Sequence, residues 1–144
     1  MITRRNFALG GMTLAAALPW QRAAHASDVM GFSDLYVGNA AFSERAQALD
    51  GTRIEMDGYM APPLKAESAF FVLTKMPMAV CPFCETEADW PQDIVSVYSR
   101  DIVTVAPFNV PIRVGGTLRL GVYTDAELGF VSKVRLVDAD YRRL

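Results

Sequence analysis

The sequence predicts a mainly β domain, a small barrel or sandwich of five or six strands with at most one or two short helices. Three observations carry that prediction. Apolar and polar residues alternate at period two in several stretches after residue 52. The stretches are rich in Val, Ile, Phe or Thr, lie close together and are bounded by Pro, Gly or Asp. Helical spacing occurs only once, so the chain does not read as alternating β and α units.

The first 26 residues stand apart from this pattern. Arg4 and Arg5 sit directly ahead of an uncharged run, Phe7 to Leu18, that is too short to span a bilayer as a helix, which needs ~20 residues. Ala24-His25-Ala26 then forms a small-x-small cleavage site before Ser27. The segment resembles a twin-arginine signal peptide; Ala8 and Leu9 depart from the usual pattern, while the modestly apolar run and Arg22 near the cleavage site fit it. The expectation is a protein exported to the periplasm, without a transmembrane anchor, whose working part is one domain, 27–144. Without Arg4, Arg5 and Arg22, the fourteen Lys and Arg fall to eleven against sixteen Asp and Glu, a net charge of −5 that disfavours nucleic acid as a partner. The single histidine, His25, leaves with the signal, which excludes Ser-His, Cys-His and His-ligated metal chemistry from the mature domain.

Within that domain, Ser27 to Asn39 reads as an irregular lead-in. Phe42, Ala46 and Leu49 fall at helical spacing within Ala41 to Asp50, and Asp50-Gly51 supplies the stop. In Arg53 to Met60, the residues Ile54, Met56 and Met60 alternate with polar neighbours, with Gly58 as a bulge or bend and Ala61-Pro62-Pro63 as the end. Further strands are predicted at Ala69 to Lys75, Ile94 to Tyr98, Ile102 to Ala106, Ile112 to Tyr123 and Phe130 to Asp138, the long one split or bent at Gly115-Gly116. The alternation directs Ile54, Met56, Phe71, Leu73, Val95, Val97, Leu118, Leu120, Val134 and Leu136 into one core. Glu55 and Asp57 read as a solvated strand face, Trp90 as core, and Tyr141 to Leu144 as a solvated basic terminus.

The run Leu49-Asp50-Gly51-Thr52-Arg53-Ile54-Glu55-Met56-Asp57-Gly58-Tyr59-Met60-Ala61-Pro62 resembles the opening of an uncharacterised family of exported bacterial proteins. The resemblance continues through Phe70 to Thr74 leading to Cys81, and through Pro91 to Tyr98, and covers roughly residues 32 to 141 as a pattern of strands. It implies a compact barrel related to the OB type and an envelope location, with an envelope transport or metal-delivery system as partner, and it does not imply an enzyme. The family often has a Cys-x-His where this chain has Cys81-Pro82-Phe83-Cys84, so a metal preference does not transfer.

That Cys81 to Cys84 turn is the one candidate chemical site. In an oxidising compartment the pair would close a structural disulfide, cycle between thiol and disulfide, or hold a soft metal. A disulfide is the default for two cysteines in an exported chain, although so short a loop gains little from closure. A thioredoxin-like redox site is disfavoured by its surroundings. Only 26 residues separate Cys84 from Pro111, and Glu85, Glu87 and Asp89 would raise a thiol pKa rather than lower it. The same acids suit a cation, and Met76 and Met78 add two thioethers upstream. The candidate ligand set is Cys81, Cys84, Met76 and Met78, with copper(I) favoured over zinc by the soft donors, unless the methionines are core filler.

Overall fold

The computed structural model describes residues 27–39, 41–79 and 91–144. The signal-peptide segment with Arg4 and Arg5 lies outside the described residues, as does the turn bearing Cys81, Phe83, Cys84 and Trp90. The described elements run β1 (Asp28–Met30), a 3-10 turn (Phe32–Asp34), β2 (Tyr36–Val37), β3 (Ala41–Phe42), α1 (Glu44–Leu49), β4 (Arg53–Met60), β5 (Phe70–Thr74), β6 (Ile94–Ser99), β7 (Pro111–Thr124) and β8 (Val131–Arg143). Among the described residues, no helix is long and apolar enough to cross a membrane.

Six strands form one mixed sheet, and its hydrogen bonding closes into a ring. From β4 the ring passes to β5, β6, β8 and β7, then back to β4, which pairs with β7 from Arg53↔Thr117 to Tyr59↔Pro111. All neighbours in the ring are antiparallel except β6 and β8. The seam between β4 and β5 is the shortest, two residue pairs at Tyr59↔Thr74 and Met60↔Leu73. Where β4 has parted from β5, β1 pairs with it in parallel at Ile54, Glu55 and Met56.

Period two explains why the ring has an inside. Ile54, Met56, Phe71, Leu73, Val95, Val97, Leu118, Val134 and Leu136 are all buried in one cluster, and Leu120 packs against its rim. Each large side chain removed from water in this way contributes about 1.5–3 kcal/mol. The strand β5 is buried along its whole length because a second, outer cluster covers its other face. There Phe70, Val72, Ala61 and Ile94 pack with Leu64 from the β4–β5 connection and with Leu128 and Phe130 from the β7–β8 turn.

Several expectations are corrected. Ser27 to Asn39 is structured, since Met30, Phe32 and Leu35 are buried and β1 pairs with β4. The helix starts at Glu44 and not at Ala41, because Phe42 pairs with Tyr36 and Ser43 caps the first turn by accepting from the Ala46 amide. Ala46 still faces the core, with Phe42 and Leu49 against it. Ile102 to Ala106 is not a strand: Ile102 and Val105 point outward, and the segment is held by Val103 N–H on the Ser68 carbonyl and by Ala106 N–H on the Met60 sulfur. The terminus is solvated at Arg142, Arg143 and Leu144 as expected, yet it belongs to the sheet, since β8 pairs with β7 up to Ile112↔Arg143 and the Tyr141 hydroxyl donates to the Thr104 carbonyl. Gly58 is not a bulge, because β4 and β7 stay in register through it from Arg53↔Thr117 to Tyr59↔Pro111. A methyl there would lie 2.6 Å from the Thr74 carbonyl oxygen, so the absence of a side chain is what lets β5 approach.

Long strands need a device to bend, and here it is in β8. Three residues of β6, Val97 to Ser99, oppose four of β8, Leu136 to Ala139, and on the other side the three from Gly115 to Thr117 oppose the four from Val137 to Asp140. Asp138 is the extra residue, at φ 51°. Bulges of this kind sharpen twist and bend the strand. Its carboxylate is held by Arg100 at 2.7 and 3.0 Å, and Gly116 admits the backbone of β8, where a Cβ would meet Leu136, Val137 and Ala139 at 3.1 Å.

Candidate functional site

The cysteine turn belongs to the connection between β5 and β6, and both ends of that connection are fixed. Thr74, the last residue of β5, is fully buried, and its hydroxyl is shared between the carbonyls of Tyr59 (3.2 Å) and Met76 (2.7 Å). Lys75 N–H donates to the Asp93 carbonyl at 3.0 Å, one step beyond the Thr74↔Ile94 pair. On the returning side, the Gln92 side-chain amide donates to the Gly38 carbonyl in the β2–β3 turn at 3.3 Å. The sequence therefore delivers Cys81 and Cys84 into a connection whose two feet are adjacent on the sheet.

The methionines divide into two groups. Met30, Met56 and Met60 are buried in the core at 1%, 0% and 1% exposure, where they do fill space. Met76 is 64% exposed, and Met78 is half-buried and belongs to neither apolar cluster. Both lie on the outgoing foot of the connection. Cys81 and Cys84 lie outside the described residues, which hold only Met76 and Met78 of the candidate set. Among the described residues, no three His, Cys, Asp or Glu side chains converge to hold a metal ion.

At the opposite end of the β5–β6 pair lies a feature that the sequence reading missed. A cavity of about 250 Å³ is bounded by the β4–β5 connection, with Lys65, Glu67 and Ser68, and by the β7–β8 turn, with Asp125, Glu127 and Leu128; Phe70 and Tyr98 lie at its base. Asp125 shapes the turn by accepting from the amides of Leu128 (2.8 Å) and Glu127 (2.9 Å). Those amides, Leu128 first, hold its carboxyl below the usual carboxylate range. Burial, and then the Asp125 carboxylate beside it, push the Tyr98 phenol well above its ordinary pKa. The Tyr98 hydroxyl oxygen is buried and meets no partner at standard hydrogen-bond geometry, despite its proximity to Asp125. Ser96 Oγ and Arg135 Nε, which are likewise buried and unpartnered, belong to residues paired across β6 and β8. The only sequence signal was Asp125 placed before Leu128-Gly129, a common turn chemistry that marks no ligand.

Glu55 and Asp57 behave as the solvated strand face expected of them. Arg113 on β7 holds Asp57 at 2.6 and 2.7 Å, and Glu55 lies between Arg113 and Arg142 at 3.8 and 3.5 Å. The Arg113 hydrogen bonds keep the Asp57 carboxyl below its usual range.

Comparison with known proteins decides the fold and nothing finer. The chain is similar in fold to a DUF3299 family protein from Pseudomonas aeruginosa. The two align with a TM-score of 0.53 and 18% identity over 83% of this chain and 97% of that DUF3299 protein's crystal structure. The match agrees with the sequence resemblance only in pointing to an uncharacterised family. No family model matches the sequence, and no curated protein does.

Proposed function

We propose that this chain is an exported, periplasmic OB-like barrel module that holds a soft metal ion, copper(I) in preference to zinc, at the Cys81 to Cys84 turn, with Met76 and Met78 as further ligands. The observation that carries the reading is the division of the methionines. Thioethers held out of the core on the foot of a cysteine connection are available to a metal, whereas the packing alternative would have put them with Met30, Met56 and Met60. The β4-β5-β6-β8-β7 ring supports the OB-like part, since a closed five-stranded order with hairpin and crossover connections is the economy of that barrel type, with β1 added beside it. Its partner would be an envelope transport or metal-delivery system.

The test is metal content and titration. Protein purified under reducing conditions is expected to bind one copper(I) ion, and Cys81→Ser and Cys84→Ser to lose it to a similar degree, because each removes one ligand of few. If one Ser variant instead trapped a mixed disulfide while the other did not, the pair would be an exchange site. Protein that stays oxidised and takes up neither copper(I) nor zinc after reduction would leave a structural disulfide. For export, replacing Arg4 and Arg5 together by Lys is expected to leave the precursor in the cytoplasm, since positive charge alone does not substitute for the guanidinium pair; undiminished periplasmic protein would reject the twin-arginine assignment.

A further inference from the structure

We infer that the outer face of β7 and β8 at Arg119 and Arg135 is a binding site for a doubly charged phosphate group, inorganic phosphate or a phosphate monoester. The site takes an anion and uses none of the proposed metal ligands, so it stands or falls independently of metal binding.

Twice along their ladder, β7 and β8 set two arginines directly opposite one another, at Arg113↔Arg142 and at Arg119↔Arg135. Both pairs sit on the outer face, because the residues that alternate with them, Ile112, Val114 and Leu118 on β7 and Val134, Leu136 and Tyr141 on β8, belong to the core. Side chains so placed start about 4.5–5.5 Å apart at Cβ, and like charges there repel. At the first pair the chain supplies the remedy. The carboxylate of Glu55 on β4 spans the two arginines, with Oε2 3.8 Å from Arg113 and Oε1 3.5 Å from Arg142, and Asp57 holds Arg113 as well. At the second pair it does not. The ladder of β4 with β7 stops at Arg53↔Thr117, before Arg119 is reached. Arg119, Arg135 and Lys133, two residues along β8 on the same face, make no ion pair among the described residues. The carboxylates of the neighbouring turns are committed to backbone, Asp50 to the Leu120 amide and Asp125 to those of Glu127 and Leu128. The Glu55 bridge therefore shows that one oxyanion joins arginines in this register, and the second pair presents the same register without one.

Two observations independent of the charges point to a ligand at the second pair. The Arg135 guanidinium carbon lies 4.1 Å from the centre of the Tyr123 ring, which occupies the face of the cation and leaves its N–H edge for an acceptor. Arg135 Nε is buried without an acceptor, and so is Oγ of Ser96, the fully buried register partner of Arg135 on β6. Ser96 shares the outer face, since Val95 and Val97 on either side of it belong to the core. Native proteins rarely leave buried groups of this kind unsatisfied, and an oxyanion seated on Arg135 supplies an acceptor where both lack one. Phosphate answers the site better than a carboxylate does. Three unpaired cations call for more than one negative charge, and a phosphate monoester carries about −1.5 to −2 at pH 7 with three acceptor oxygens.

The experiment is calorimetric titration of the full chain in a phosphate-free buffer of low ionic strength at pH ~8, where phosphate is a dianion. Inorganic phosphate and glycerol 3-phosphate are the probes, with dimethyl phosphate and acetate as singly charged comparisons. Both dianions are expected to bind, the monoanions about tenfold more weakly or not at all, and affinity to fall with added salt. Arg119→Gln and Arg135→Gln should each weaken phosphate binding about fivefold, the scale of one exposed charge contact, whereas Arg142→Gln, whose arginine Glu55 already answers, should leave it unchanged. Without phosphate, Arg119→Gln should melt no lower than the parent, since it removes a repulsion; added phosphate should raise the melting temperature of the parent but not of the Arg119→Gln, Arg135→Gln double variant. Vesicles containing phosphatidic acid distinguish the sources of the group: retention that Arg119→Gln abolishes identifies a lipid headgroup, and glycerol 3-phosphate binding without retention identifies a soluble ligand. Absence of phosphate binding, acetate binding as tightly as phosphate, an Arg142→Gln variant that loses as much affinity as Arg119→Gln, or unchanged affinity in a folded double variant overturns the assignment.

Discussion

Gly58→Ala tests the tightest point of the ring. The added methyl would sit 2.6 Å from the Thr74 carbonyl oxygen and 3.0 Å from both Cγ and Cδ1 of Leu73. Leu73 is fully buried and the oxygen is backbone, so neither neighbour can swing aside as an exposed side chain would. The relief available is separation of β4 from β5, and that seam has only two residue pairs to lose. Forcing one methyl group into such a contact costs about 1–3 kcal/mol. For a domain of this size, each kcal/mol lowers the melting temperature by about 3–6 °C. Gly31→Ala is the control, because its nearest contacts are 3.4 and 3.6 Å away and belong to flexible polar side chains; it should stay within about 0.5 kcal/mol of the parent. Urea and thermal unfolding measure both. A Gly58→Ala protein as stable as the Gly31→Ala control would show that β5 is free to move away from β4, and the close-approach argument would fail.

How much of this was legible in the sequence depended on whether local pattern or distant partner decides the outcome. The strand Arg53–Met60 was read with its correct ends because its alternation is strict and its stop, Ala61-Pro62-Pro63, is chemical. Core residues such as Phe71, Leu73, Val95 and Val97 followed from the same parity. Ile102 to Ala106 carries a strand composition too, but a strand also needs a ladder partner, and among the described residues no strand pairs with this segment. The pairing of β1 with β4 is equally invisible locally, since three residues hold no period and only the missing β5 partner makes room for them. Gly58 was noticed for the right reason, an interruption in a strand, yet its role is set by Thr74, sixteen residues on. At the candidate metal site, the sequence supplied the four sulfur residues but could not separate ligand-ready methionines from core ones. Burial separates Met30, Met56 and Met60, which lie in the core, from exposed Met76 and half-buried Met78, which do not. The cavity beside Phe70 and Tyr98 had no sequence signature, because its lining comes from two connections about 60 residues apart and only the sheet brings them together.

Two more predictions concern pH and the foot of the cysteine connection. Asp57 has its pKa lowered in the folded state, chiefly by the Arg113 hydrogen bonds, so its contribution is fully present above the unfolded value of about 4 and is lost as pH falls through the folded value. Urea midpoints should therefore separate the parent from Asp57→Asn near neutral pH and converge toward pH ~2; a gap that is constant with pH would mean that the ion pair contributes nothing. The second substitution is Thr74→Val, which keeps the shape of a fully buried side chain and deletes the hydroxyl that binds the Tyr59 and Met76 carbonyls. Leaving those acceptors unpaired costs about 1–3 kcal/mol, less if water reaches the carbonyl of exposed Met76. Its sharper consequence is positional, because the 2.7 Å bond to Met76 sets the direction in which the chain leaves β5. If Met76 is a ligand, Thr74→Val should weaken copper(I) binding while Thr74→Ser, which restores the hydroxyl, should recover it. Stability alone would not produce that pattern, since a Leu118→Ala variant, destabilised by a core cavity on the strand β7, should fold less well yet bind as before. Equal affinity in Thr74→Val and the parent would detach Met76 from the metal and leave the two cysteines to hold it with other donors.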